Sequence, residues 1–205
     1  SAHNDNIYLN EALFNRVKTV YDSRNKLKLG SEQSKLLEET YKSFVRSGAN
    51  LSVAGKGKLR QLNSRLSLLT LTYGQNVLAE TNNFELVITD KKDLAGLPQN
   101  IIDAAAEAAK QKKKSGWLFT LSNASVMPFL QYAENRELRK QIWTAYQNRA
   151  NNNNEYDNNK VLLEIANLRT EKAQMMGYNR YADYGLEETM AKNPESVSKL
   201  LSDLW

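Results

Sequence analysis

From about Gly57 to Asn82 the chain places Leu59, Leu62, Leu66, Leu69 and Tyr73 at alternating intervals of three and four residues. Leu68, Leu71 and Val77 broaden the stripe beyond a bare coiled-coil seam. That period is helical and excludes a strand. At 1.5 Å per residue the helix is roughly 35 Å long. A helix of that reach is a scaffold, and shorter elements are expected to pack along it. No stretch of the 205 residues is apolar over the length of a bilayer span, so the stripe is predicted to face a protein core and not a membrane.

Shorter helical segments flank the scaffold. Asn10 reads as the N-cap of a segment carrying Leu13, Val17, Val20 and Tyr21 on one side. Gly30 then Ser31 read as one helix ending at a C′ glycine and the next opening at a serine cap. The second helix turns Leu37, Tyr41, Phe44 and Val45 inward and stops at Gly48, and the short link makes the two an antiparallel pair. Past Pro128 helices return. Glu134 to Arg149 aligns Leu138, Ile142, Ala145 and Tyr146, and the asparagine run 151–154 reads as a loop. A helix from about Glu155 to Met176 ends at Gly177, and a short one follows from Tyr181 to Met190. Asn193-Pro194-Glu195 is a cap, a first-turn proline and an acid, which together start a last helix. Its stripe of Val197, Leu200, Leu201, Leu204 and Trp205 runs to the final residue, so it is expected to meet the remainder of its own chain or to dock on its own domain.

Between residues 83 and 130 the period changes. Phe84–Thr89 and Trp117–Leu121 are short, apolar and β-prone. Leu97-Pro98 opens an alanine-rich helix between them that runs through Lys114. The strands could pair in parallel, or antiparallel with a third strand from elsewhere; two strands alone are marginal. The predicted fold class is therefore mainly α: a multi-helix array with long antiparallel helices and a small two- to three-stranded β element. Three parts are expected: a helical hairpin with the scaffold helix (1–82), a strand–helix–strand insert (83–130), and a helical segment continuing into further chain (131–205).

Two counts narrow the chemistry. There are no cysteines and one histidine, His3, in the polar opening Ser1-Ala2-His3-Asn4-Asp5-Asn6, which is read as frayed and carries no visible signal peptide. Disulfides, thiolate zinc sites and nucleophile–histidine catalysis in the body of the chain are excluded. Carboxylates can act without histidine, but Glu187-Glu188 and the Glu134/Glu137 pair fall at ordinary helix-surface spacings. Gly55-Lys56-Gly57-Lys58 has the flavour of a phosphate loop, yet it lacks the full spacing and the hydroxyl residue, and reads as a helix-entry turn. Asn123-Ala124-Ser125 matches a glycosylation acceptor, a short pattern that is common by chance. Lys110-Gln111-Lys112-Lys113-Lys114 is the one basic cluster in a chain of net charge +5. It suits a solvated helix C-terminus; without interleaved aromatics it does not make a nucleic-acid surface. Arg136, Arg139, Arg149, Asp157 and Arg169 read as inter-helix ion pairs that fix packing, the alternative being arginines that line a ligand channel and fork onto a carboxylate.

Several stretches, in order, carry a family likeness: Phe44-Val45-Arg46-Ser47-Gly48-Ala49, Asn76, Leu94-Ala95-Gly96-Leu97-Pro98, and Thr120 through Leu130. Asn135-Arg136-Glu137-Leu138-Arg139, Tyr146, Arg149, Tyr156-Asp157-Asn158, Leu168-Arg169, Gly177-Tyr178, Tyr181-Ala182-Asp183-Tyr184 and Met190-Ala191-Lys192 continue it. The set resembles the thimet oligopeptidase family of zinc metallopeptidases, most closely its bacterial peptidyl-dipeptidase (dipeptidyl carboxypeptidase) branch, over about Ile7 to Trp205. Ala124, where that family usually has proline, and Gly185 depart from the pattern. The resemblance implies a longer, mostly helical enzyme around a deep channel, with zinc held by an HExxH helix and a later glutamate downstream. No HExxH occurs in these residues. The chain then corresponds to a non-catalytic channel-wall segment of an enzyme that hydrolyses short peptides, and no catalytic, cofactor-binding or metal-binding residue is assigned to it. Zinc belongs to the parent enzyme, neither nucleic acid nor membrane is an expected partner, and the compartment, bacterial cytoplasm or periplasm, stays open. The alternative is a stand-alone helical scaffold or protein-interaction domain.

Overall fold

A computed structural model describes residues 2–205. The fold is mainly α, with ten α-helices and one two-stranded sheet among the described residues. Two compact units divide the chain: one holds the residues up to Thr70 together with Leu163–Trp205, the other Leu71–Leu162. The division falls inside two helices, α4 (Val53–Asn83) and α8 (Asn159–Met175).

The first unit begins with α1 (Ala2–Tyr8), a helix in the opening segment that the sequence reading left frayed. Asp5 accounts for the difference: its carboxylate accepts the Asn63 amide at 2.9 Å, and Tyr8 sets its ring edge-on to Phe44. Asn10 caps α2 (Glu11–Asp22) by accepting the Leu13 N–H at 2.9 Å, as its position predicts. The next boundary differs from expectation. Helix α2 closes at Ser23 and a 3-10 turn (Arg24–Lys26), and Gly30 is itself the N-cap of α3 (Ser31–Arg46). Gln33 reaches back to accept the Gly30 N–H at 3.0 Å, so the side chain at N3 supplies what the serine was expected to supply. Helices α2 and α3 are antiparallel: Phe14 stacks on Phe44 near one end, and Tyr21 stacks on Tyr41 at 3.9 Å toward the other. Helix α4 starts at Val53, ahead of Gly57, because the Ser52 hydroxyl accepts the Gly55 N–H. The Gly-Lys-Gly-Lys segment thus forms the opening turns of the helix, with the Lys56 stem buried. Short α9 (Tyr181–Leu186) and α10 (Pro194–Leu204) complete the unit, the latter capped by Asn193, whose side chain accepts the Ser196 N–H at 2.8 Å.

The second unit holds the sheet. Strands β1 (Leu86–Ile88) and β2 (Trp117–Phe119) pair antiparallel, Leu86 with Phe119 and Ile88 with Trp117. No third strand joins them among the described residues. The pair persists because Leu86, Ile88 and Phe119 sink into one core with Leu94, Leu97, Ala105, Val126, Phe129 and Ile142. Helices α5 (Gln99–Gln111), α6 (Asn123–Tyr132) and α7 (Arg136–Gln147) contribute Ala105, Val126, Phe129 and Ile142 to that core. Phe119, Phe129 and Ile142 are almost wholly buried, each worth about 1.5–3 kcal/mol of transfer free energy.

Several boundaries here also depart from the sequence reading. Helix α6 begins before Pro128 and contains it; Ser122 is its N-cap, and the Ser125 hydroxyl accepts the Thr120 N–H at 3.0 Å. Helix α8 begins at Asn159 and not near Glu155, since the Asp157 carboxylate accepts both the Asn153 and Asn159 N–H groups at 2.9 Å and holds the preceding residues as a turn. Gly96 shows why that position takes no side chain: its φ is +85°, and a Cβ there would sit 2.2 Å from the Tyr132 carbonyl oxygen.

Candidate functional site

Five charged residues were expected to form inter-helix ion pairs, and among the described residues none does. Arg136 is exposed at the first position of α7. Arg139 donates to the carbonyls of Ala133 and Glu134, closing the end of α6. Arg149 lies on the Tyr146 ring, 3.8 Å from its centroid, and donates to the Tyr146 carbonyl at 2.9 Å. Arg169 sits over the Tyr181 ring at 5.3 Å. Asp157 serves backbone N–H groups, which hold its carboxyl below the ordinary range. Apart from the exposed Arg136, each of these charges finds a carbonyl, an amide or an aromatic face and no opposite charge. Other ion pairs make such links: Arg65–Glu164 at 2.5 Å and Lys58–Glu171 at 2.6 Å join α4 to α8, and Lys42–Glu188 at 2.6 Å and Arg46–Glu187 join α3 to the residues just after α9.

The other candidates resolve as follows. Glu187 and Glu188 go to different cations, Arg46 and Lys42, and form no acid–base pair. Lys112 and Lys114, just beyond α5, both face Glu85. In the Asn-Ala-Ser triplet, Asn123 accepts the Tyr146 hydroxyl and Ser125 holds Thr120. His3 is exposed on α1.

Arg46 organises the first unit more than any residue the sequence singled out for its charge. Its guanidinium donates to the Tyr184 carbonyl at 2.8 Å and to the Tyr178 hydroxyl at 3.2 Å, pairs with Glu187, and lies 4.6 Å from the Tyr184 ring centroid. Tyr178 in turn donates to Glu187 at 2.6 Å, and the Tyr184 hydroxyl donates to the Arg46 carbonyl at 3.2 Å. One planar cation thus ties the end of α3 to the segment around α9. Burial pushes the Tyr184 phenol above its ordinary value, with Arg46 opposing the shift. The second unit has a smaller counterpart. Asn158, 2% exposed, accepts the Asn76 amide at 2.9 Å and donates to the Tyr73 carbonyl at 3.1 Å, which leaves no polar atom of that buried side chain unsatisfied.

Beside the Arg46 cluster lies a polar cleft of about 530 Å³ within the first unit. Helix α1 contributes Asn4, Asp5 and Tyr8, α4 contributes Asn63, Ser67 and Thr70, and α8 contributes Lys172. Lys172 Nζ donates to Asn63 Oδ1 at 2.9 Å, while the amide of the same asparagine donates to Asp5 at 2.9 Å. Burial pushes the Lys172 ammonium below its ordinary value, and the Asp5 carboxylate works the other way. The sequence carried a signal for this site that went unread. Asn63 falls one turn from Leu59 and Lys172 one turn from Leu168, so each interrupts an apolar stripe with a polar group.

A second concavity, about 430 Å³, lies along α7 in the other unit, lined by Leu130, Arg136, Arg139, Lys140 and the half-exposed Trp143. Its wall is basic and aromatic and contains no carboxylate. Both concavities are suited to holding a ligand; neither brings a nucleophile to a base. The donor set does not fit zinc either: the chain has no cysteine and one histidine, and no cluster of three histidine, aspartate or glutamate side chains could hold an ion among the described residues. Among the described residues no helix is long and apolar enough to cross a membrane.

Comparison with known proteins adds a different kind of observation. The sequence model of peptidase family M3 matches residues 129–205. Oligopeptidase A of Salmonella typhimurium is 34% identical over 198 residues, covering 95% of this chain and 29% of that protein. Dipeptidyl carboxypeptidase of Escherichia coli is 34% identical over 201 residues, covering 98% of this chain and 30% of that protein. Oligopeptidase A of Haemophilus influenzae is 37% identical over 176 residues, covering 84% and 26% respectively. The chain therefore spans at most about three tenths of the length of these relatives.

Proposed function

The chain belongs to peptidase family M3, and from that premise we propose that it is a channel-wall segment of a zinc-dependent oligopeptidase or peptidyl-dipeptidase that hydrolyses short peptides. The observation that carries the reading is the extent of the likeness: overall identity of 34% over 95–98% of the chain in relatives named as an oligopeptidase and as a dipeptidyl carboxypeptidase. With one histidine exposed on α1, the chain in this reading contributes surface to the parent enzyme, whose chemistry lies elsewhere. In this reading the parent enzyme holds zinc with residues outside the 205, the peptide substrate meets helix faces of this segment, and the remainder of the parent chain covers others.

The coding sequence beyond codon 205 tests the proposal directly. An in-frame HExxH followed by a distal glutamate is expected, and the protein translated through it should cleave short peptides while the 205-residue chain does not. An immediate stop codon, or hydrolysis by the 205-residue chain alone, would overturn it.

A further inference from the structure

We propose that the cleft between α1, α4 and α8 is a binding site for a short zwitterionic peptide of dipeptide length, with Lys172 receiving its carboxylate and Asp5 its ammonium. Three features of the cleft support this. First, its opposite charges are held apart. Lys172 and Asp5 bond to opposite ends of the Asn63 amide, each at 2.9 Å, and are not an ion pair. A planar amide between two such bonds sets their separation at no more than about 8 Å. An extended dipeptide, whose termini are about 7 Å apart, can lie alongside the pair with one terminus on each charge.

Second, both charges keep bonding capacity. Asn63 is the one hydrogen-bond partner of the Lys172 ammonium among the described residues, and no carboxylate reaches it. An ammonium has three donors, so two stay open to a ligand. Third, the wall between them is polar, and although the Thr70 and Tyr184 hydroxyls are taken up by the Leu66 and Arg46 carbonyls, others are free. Tyr8 and Ser67 line the cleft and make no side-chain hydrogen bond among the described residues, so they can serve the peptide bond of a ligand. The volume of about 530 Å³ admits a dipeptide with small side chains. A half-buried cation set apart from its nearest counter-charge by one asparagine is stabilised by a ligand that pairs it. A zwitterion pairs both charges at once and leaves the net charge of the cleft unchanged.

The demand for two opposite charges at that spacing rests on the cleft alone; the choice of a peptide to carry them rests on the peptidase reading. The test uses the 205-residue chain, with the Asn63 side-chain amide resonances and titration calorimetry as readouts and alanyl-alanine as probe. Saturable binding is expected at millimolar concentration or below. N-acetyl-alanyl-alanine and alanyl-alanine amide should each bind at least about tenfold more weakly, because each removes one charge. Asp5→Asn and Lys172→Met should reproduce those losses on the protein side, and Lys172→Arg should retain binding. The capped peptides report on the unmodified chain, so the result does not depend on a variant folding. Equal binding of capped and free peptides, or no saturable shift with alanyl-alanine up to about 20 mM, would overturn the site. Either result leaves the coding-sequence test of the parent enzyme untouched.

Discussion

Arg46 and Lys172 are both basic residues on helices otherwise read for their leucines, and burial separates what they do. Arg46 spends its donors on protein groups, a carbonyl, a phenol and a carboxylate, and adds an aromatic face. Lys172 spends one donor and keeps the rest for the cleft. Arg46 is therefore structural. Arg46→Lys keeps the charge for Glu187 but loses the planar fork and the stacking on Tyr184. Urea unfolding followed by tyrosine near-UV circular dichroism should give a lower midpoint at unchanged slope, a loss of about 1–2 kcal/mol. An unchanged midpoint would mean that Glu187 alone holds the pair.

The elements divide by whether a local signal or a distant partner sets their ends. Of the side chains that cap the backbone beside them, Asn10 before α2 and Asn193 before α10 matched expectation. Gln33 at α3, Ser52 at α4 and Asp157 at α8 set boundaries the sequence pattern did not locate. Where the partner lies elsewhere in the fold, the pattern holds no signal for it. Helix α1 forms with the help of Asn63, more than fifty positions away. The two-stranded sheet survives because helices cover it, a fact no strand pattern contains. Glycines give a measurable contrast. Gly74 lies within α4 with nothing near the place of a Cβ, so Gly74→Ala should raise the thermal midpoint, by about 0.5–1 kcal/mol in stability. Gly96→Ala, at φ +85° against the Tyr132 carbonyl, should cost about 1–3 kcal/mol or more. If both variants melted alike, the backbone account of Gly96 would be wrong.

For the molecule as a whole, the distribution of apolar surface matters more than its charge. Leu200, Leu201 and Leu204 on α10 and Trp205 just after it are 59–108% exposed, and Leu36, Leu68 and Leu71 on α3 and α4 are more than half exposed. Such faces on folded helices bind hydrophobic dyes or one another. The native chain should therefore enhance the fluorescence of anilinonaphthalene sulfonate or self-associate in sedimentation. Replacing Leu200, Leu204 and Trp205 with serine should reduce both without lowering the unfolding midpoint, since none of the three is buried. A monomeric chain that leaves the dye dark would contradict this and weaken the proposal that further chain covers the face.

The amino-acid sequence by itself determined the mainly helical class, the scaffold helix and the family. These rest on a sustained apolar period, on local caps and on an ordered set of residues, all of which are properties of the chain in one dimension. Tertiary structure alone decided that Arg169 faces the Tyr181 ring, that two strands suffice, and that Asp5, Asn63 and Lys172 share a cleft. The physical reason is the same in each case. A hydrogen-bond donor takes the acceptor nearest to it in space, and for residues far apart along the chain that neighbour is set by how the helices pack.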